Sequence, residues 1–198
     1  TESDPVWARD KVELADPAKN RERIQAATAV AKTADAIVLV IGTNEATSRE
    51  AWADNHLGDV ANISLMSQQD ELADAMLQTG KPVVVVLVNG RPVAMPKLAE
   101  RADAILESWY VGQEGGTAIG QVLFGDVNPG GKLPISFPRS VGHLPVFYNY
   151  KPSARRGYLF DDVSPLFAFG YGLSYTTFEL KNPQLTKKKI ATKGSTQV

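Results

Sequence analysis

The side chains best suited to chemistry fall in one loop. Ile37-Val38-Leu39-Val40-Ile41 runs into Gly42 and then into Thr43-Asn44-Glu45-Ala46-Thr47-Ser48-Arg49-Glu50-Ala51-Trp52. Glu45 and Glu50 are carboxylates able to bind a ligand or exchange a proton, and the residues alone rank neither above the other. The competing reading for each is a surface carboxylate paired with Arg49, an interaction worth little. The five aliphatics read as a strand buried on both faces, as in parallel sheets covered by helices. Loops that leave the carboxyl ends of such strands are where open α/β sheets bind ligands, so this loop lies where that fold puts its function.

Other chemistries have little material. The 198 residues contain no cysteine, which removes disulfides, thiol catalysis and cysteine metal sites. Two histidines, His56 and His143, are too few for a metal centre and fit hydrogen-bonded loop positions better. No Gly-x-Ser-x-Gly elbow occurs, and the strand over 36–42 lacks the Gly-x-Gly-x-x-Gly turn of a dinucleotide fold. The stretch 125–132 imitates a phosphate loop, but Asp126 stands where its first glycine belongs and Leu133 replaces the Ser or Thr. A net charge of −1 offers no footprint for nucleic acid or an anionic membrane. No apolar run approaches the roughly 20 residues that span a bilayer. With 43% apolar and 22% charged residues, the composition is that of a globular protein with a substantial core.

The elements that must position the loop follow from local signals. Asp16-Pro17 supplies an N-cap and a first-turn proline, and Ile24, Ala27, Val30, Ala31 and Ala34 recur at helical spacing, which predicts a helix over 17–33. Ser67, with Asp70 three residues on, opens a second helix that turns Leu72, Ala75 and Met76 inward and ends at Gly80. A second buried strand covers 82–88, followed by Asn89-Gly90-Arg91-Pro92, a short helix near 94–101, a strand over 103–109 and a helix closed by Gly125. This alternation predicts right-handed βαβ units: an α/β, three-layer sandwich with a mainly parallel sheet. Residues 132–138 read as a short extended segment hemmed by prolines and suited to an edge. Residues 139–170, rich in Pro, Gly, Tyr and Phe, read as a long ordered loop wrapping the domain. Thr176 to Leu185 is a candidate first strand of a β-sandwich module, and the lysine-rich 187–198 reads as a frayed end.

The combined motifs identify a relationship. Gly112-Gln113-Glu114-Gly115-Gly116, followed by Val122-Leu123-Phe124-Gly125-Asp126-Val127-Asn128-Pro129-Gly130-Gly131-Lys132-Leu133-Pro134, resembles the second domain of glycoside hydrolase family 3. Thr79-Gly80-Lys81-Pro82-Val83 and Asn89-Gly90-Arg91-Pro92 match the same family upstream. Phe169-Gly170-Tyr171-Gly172-Leu173-Ser174-Tyr175-Thr176 resembles its junction with a fibronectin type III-like domain. The motifs occur in the family's order between about 36 and 180.

The resemblance implies a domain division: 1–16 as a linker from an N-terminal barrel, 17–174 as the α/β sandwich, and 175–198 as the start of the fibronectin-like module. The first residues carry no initiator Met and no signal-peptide pattern, as expected of a piece of a longer chain. The implied activity is that of an exo-acting, retaining, β-glucosidase-like hydrolase acting on terminal β-D-glucosyl residues of a β-glucoside or oligosaccharide. An N-terminal (β/α)8 barrel would supply the aspartate nucleophile and this domain the general acid/base, with no metal or organic cofactor. Alone, the chain would then be inactive or nearly so. A retaining mechanism needs those two carboxyl groups about 5–5.5 Å apart.

Matched to the family's loop, Arg49-Glu50-Ala51 makes Glu50 the acid/base candidate and Glu45 the runner-up. Trp52 is equally a sugar-stacking residue or a loop anchor. Asp59 is followed by Val60 where many relatives carry arginine, which leaves substrate preference open. Glu114 reads as a helix-terminal carboxylate, and Asp161 and Asp162 as residues that fix the long loop. The family expectation for location is periplasmic or secreted, and Asn62-Ile63-Ser64 is a glycosylation sequon meaningful only in a eukaryotic secretory setting. Alternatives are a β-xylosidase of the same family, a non-catalytic carbohydrate-binding or structural module, and, disfavoured by the missing phosphate turn, a nucleotide-binding domain.

Overall fold

A computed structural model describes residues 15–53, 57–151, 157–179 and 181–197. Helix α1, Pro17–Ala31, starts where Asp16 accepts a hydrogen bond from the Ala18 N–H at 2.9 Å and proline fills the first helical position. Strand β1, Ile37–Gly42, leads through the long loop to α2, Gln69–Leu77, and on to β2, Val83–Val88. A short α3, Pro96–Arg101, and β3, Ala104–Glu107, complete a second crossover. Helix α4, Gly115–Phe124, ends at Gly125 in the left-handed conformation.

The three strands form a parallel sheet in the order β1-β2-β3, with Ile37 opposite Val83, and Val84 opposite Ala104. Residues paired across a parallel ladder share a face, so Leu39, Val85 and Ile105 lie side by side, as do Ile41, Leu87 and Glu107. That face carries the core. Val83, Val85 and Leu87 are fully buried, joined by Ile37, Leu39 and Ile41 from β1, Ala73 and Met76 from α2, and Leu98 from α3. Phe137 inserts into the same cluster from the far segment, tilted against Trp109 with centroids 5.8 Å apart.

Several expectations need correction. β1 is not buried on both faces: Val38 is 54% and Val40 62% exposed. β1 has β2 as its one neighbour among the described residues, and α2 packs on β1 while α1 packs on α2, so cover lies over the alternate residues alone. Along α1 only Ala31 is buried, and Val30 faces out. Ser67 does not cap α2; it takes a positive φ of 54° and its hydroxyl turns to the Gln68 side chain, while the helix begins two residues later without a side-chain cap. The proline-hemmed segment lies outside the three-stranded sheet and pairs at one position. Phe137 and Phe167 pair in an antiparallel bridge, with the Phe137 N–H on the Phe167 carbonyl at 2.8 Å. The described positions of 176–185 carry no strand.

The wrapping loop holds itself by side-chain bonds. His143, buried, faces Asp161 at 3.0 Å through Nε2 and stacks on Tyr158. Asp162 accepts from the Ser164 N–H at 2.9 Å and hydroxyl at 2.7 Å, and Arg139 donates to the Ser164 carbonyl at 3.0 Å.

Truncation on the two faces of the sheet should separate them. Leu87→Ala is expected to cost about 2–5 kcal/mol through lost burial and a cavity, and Val40→Ala no more than about 0.5 kcal/mol, read as urea midpoints.

Candidate active site

The loop after β1 leaves the sheet through a tight exit. Gly42 has φ +144°, and a Cβ there would collide with the Val88 carbonyl, so glycine is required. The Gln69 side-chain amide takes both backbone groups of Gly42: its Oε1 accepts the N–H at 2.8 Å and its Nε2 donates to the carbonyl at 2.8 Å. A helix side chain thus occupies the place of a neighbouring strand. Thr43 N–H then bonds the Val88 carbonyl at 2.9 Å.

Next comes one 3-10 turn, Glu45–Thr47. Asn44 caps it, accepting the Thr47 N–H at 3.0 Å while the Thr47 hydroxyl accepts the Asn44 N–H at 3.0 Å. The Thr43 and Ser48 hydroxyls lie 2.6 Å apart, and the Tyr110 hydroxyl donates to Ser48 at 2.9 Å.

Two cross-ties then bracket Glu50. Arg49, whose side chain is only 10% exposed, donates through Nε to the Leu57 carbonyl at 3.1 Å. Ala51 N–H donates to Asp59 Oδ1 at 2.9 Å. The two carboxylates, which the residues alone do not rank and the family motifs do, differ in setting. Glu45 lies 3.8 Å from Arg49 Nη1 as an i,i+4 ion pair exposed on the glutamate side alone. Glu50 is exposed and makes no ion pair with the described residues. Trp52, two residues on, is 68% exposed. Val60 is half-buried, and His56 lies outside the described residues. The loop returns to the body where Ala94 N–H donates to the Ile63 carbonyl at 2.9 Å and Ser64 pairs with Ala94.

Beneath the loop lies a polar floor that sequence reasoning missed. Asn89, fully buried, donates to the Arg91 carbonyl at 2.8 Å. Burial draws the Arg91 guanidinium down from its ordinary range, and the neighbouring Tyr110 phenol counteracts this. Glu107 closes β3 on the core face, and burial pushes its carboxyl up to about 7, partly offset by the Trp109 N–H and the Asn89 amide. The available signal was a carboxylate at the end of an otherwise apolar strand. Elsewhere, Glu114 stands at the N-terminus of α4 and accepts from the Thr117 hydroxyl at 3.3 Å. Among the described residues no group of three or more His, Cys, Asp or Glu side chains is arranged to hold a metal ion.

Residues 9–175 match the model of the glycosyl hydrolase family 3 C-terminal domain. The chain belongs to that family. Among its relatives, a β-xylosidase of Formosa agariphila is 47% identical over 183 residues, covering 90% of this chain and 24% of the relative. A periplasmic β-glucosidase of Salmonella typhimurium is 44% identical over 190 residues, with the same two coverages of 90% and 24%. In structure, a β-glucosidase from Erythrobacter marinus superposes with a TM-score of 0.82 at 46% identity, over 90% of this chain and 25% of that one. A β-glucosidase from Listeria innocua in complex with glucose gives 0.73 at 36% identity, over 88% and 24%. This family 3 domain therefore spans about a quarter of the length of those relatives. Its parallel sheet with helices is the α/β architecture expected from the motifs.

The Glu107 carboxyl gives the family 3 domain a pH signature. Its folded value lies above the ordinary value of 4.5, so the folded chain holds the proton more tightly than the unfolded one. The associated stability should be complete below pH 4.5 and lost as pH rises to about 7. Glu107→Gln should flatten that slope in urea midpoints taken across the same interval.

Proposed function

We propose that this domain supplies the general acid/base, Glu50, to an exo-acting retaining β-glucosidase-like glycoside hydrolase whose nucleophile sits on an N-terminal (β/α)8 barrel. The observation that carries the reading is Glu50's setting. It is an exposed carboxylate, bracketed by the Arg49–Leu57 and Ala51–Asp59 ties, at the carboxyl edge of a parallel sheet. Glu45, the alternative, lies 3.8 Å from Arg49 Nη1. Such an arm fits the task of protonating a leaving oxygen in a neighbouring domain and later drawing a proton from water. A location outside the cytoplasm follows the name of the Salmonella relative, and no helix of the described residues is long and apolar enough to cross a membrane.

The substrate is a terminal β-glucoside, with a β-xyloside as the second reading because the Formosa relative carries that name. The ratio of kcat/KM on matched aryl β-glucoside and β-xyloside chooses between them. Trp52, exposed beside Glu50, offers an aromatic face to the sugar beyond the cleaved bond.

In the full-length enzyme, Glu50→Ala should lower kcat/KM by about 10²–10⁴-fold on alkyl glycosides. The loss should be far smaller on dinitrophenyl glycosides, whose leaving group needs no acid, and azide should restore turnover. An unchanged rate on alkyl glycosides would rule out the assignment. Trp52→Ala should raise KM for disaccharides several-fold with kcat little changed, consistent with roughly 1–2 kcal/mol of aromatic contact; an unaltered KM would make it an anchor only.

A further inference from the structure

We propose that Tyr110 is a positioning residue for Glu50, fixing the arm that bears the carboxylate by a hydroxyl node shared between the ends of all three strands. The proposal rests on the acid/base reading of Glu50.

Tyr110 reaches the loop from the far side of the sheet. The turn after β3 is held to β2, since Ser108 donates to the Leu87 carbonyl through its N–H at 3.0 Å and its hydroxyl at 2.6 Å. Trp109 then takes φ +55°, a conformation unfavourable for a residue with a side chain, and its N–H is engaged by Glu107 Oε1 at 3.0 Å. That backbone sends the Tyr110 ring across the end of β2. It lies against Gly90, where a Cβ would sit 2.5 Å from the ring carbon Cε2 and 3.0 Å from Ser48 Cβ, so a side chain there would push the ring aside.

The ring ends at the loop after β1. Its hydroxyl meets Ser48 Oγ at 2.9 Å and Thr43 Oγ1 at 3.2 Å, those two hydroxyls are 2.6 Å apart, and Gly90 N–H reaches Thr43 Oγ1 at 3.4 Å. One residue from each strand end, Thr43, Gly90 and Tyr110, thus meets at a single point.

The position of this node along the chain gives it a role. Ser48 is two residues before Glu50, with the laid-down Arg49 between them. Beyond Ser48, Arg49–Leu57 and Ala51–Asp59 tie the arm to itself. The Glu45–Arg49 pair at its base is solvent-exposed on the glutamate side and weak. Among the described residues, Tyr110 and Thr43 are thus the side chains that join Ser48, at the arm's base, to the strand ends, and Tyr110 is the one that comes from β3's side. An acid that acts across a domain boundary must hold its position closely, since a displacement of about 1 Å can cost 10²-fold in rate.

The test uses Tyr110→Phe in the full-length enzyme, which keeps the ring packed on Gly90 and removes only the hydroxyl. On an alkyl β-glycoside, kcat/KM should fall by about ten-fold. On a dinitrophenyl glycoside, which needs no acid assistance, it should change by less than about two-fold. In a Glu50→Ala background the same change should have no further effect on the alkyl substrate, because the two residues act as one unit. An equal loss on both substrates would assign Tyr110 to folding alone, and no loss, or a full loss added to that of Glu50→Ala, would overturn the positioning role. Glu50→Ala on its own separates the two claims: if it lacks the leaving-group dependence, the acid/base reading fails and takes this proposal with it.

Discussion

The complete burial of one face of β2 governs the rest of the molecule. Val83, Val85 and Leu87 have no exposure, and the parallel ladders on either side of β2 lock β1 and β3 to it in fixed register. A slip by one residue would turn Leu39 and Ile41 to the open face and bring Val38 and Val40 against α2, emptying the core of its best-packed side chains. Register is thereby specified by burial, and register in turn sets the level at which the three strands end. Thr43, Gly90 and Tyr110 can share a hydrogen-bonded node because Ile41, Leu87 and Glu107 lie in one row beneath them.

The same region shows how an α/β sheet finishes its polar business at the edge where it binds ligands. Backbone groups that leave a ladder need partners, and here side chains provide them. Gln69 replaces a strand for Gly42, Ser108 bonds back to Leu87, and Glu107 receives Trp109. Glu107 is the costly member, because its carboxyl is buried deeply enough to hold its proton until about pH 7. Its return is local order: it fixes a left-handed Trp109 that no side-chain preference would select.

Much of the scaffold was legible because it depends on local rules. Asp16-Pro17 marked the start of α1, Gly125 the end of α4, and the valine run β2, each through a preference that acts within a few residues. Family motifs pointed to the domain, and the ranking of Glu50 over Glu45 came from those motifs and not from spacing. What was hidden depends on distant partners. Ser67 carries a good capping residue type, yet its backbone turns left-handed and Gln68 and Gln69 are drawn to α1 and Gly42. Val38 and Val40 read as buried because an aliphatic run does not reveal which face of its strand is covered among the described residues. Tyr110 and Ser48 are 62 positions apart in sequence, and only the fold brings their hydroxyls to 2.9 Å.

The clamps at the two ends of the long loop have a consequence for how this domain can change. At one end Gln69 closes on Gly42, and at the other Ala94 holds Ile63, with Ile63 and Leu65 buried behind it. Between these fixed posts, insertions or deletions are absorbed within the exposed arm, and loop closure grows costlier only slowly with length. The sheet does not register such edits. The arm's shape can thus be re-tailored while the folding information, carried by β2 and its helices, stays untouched.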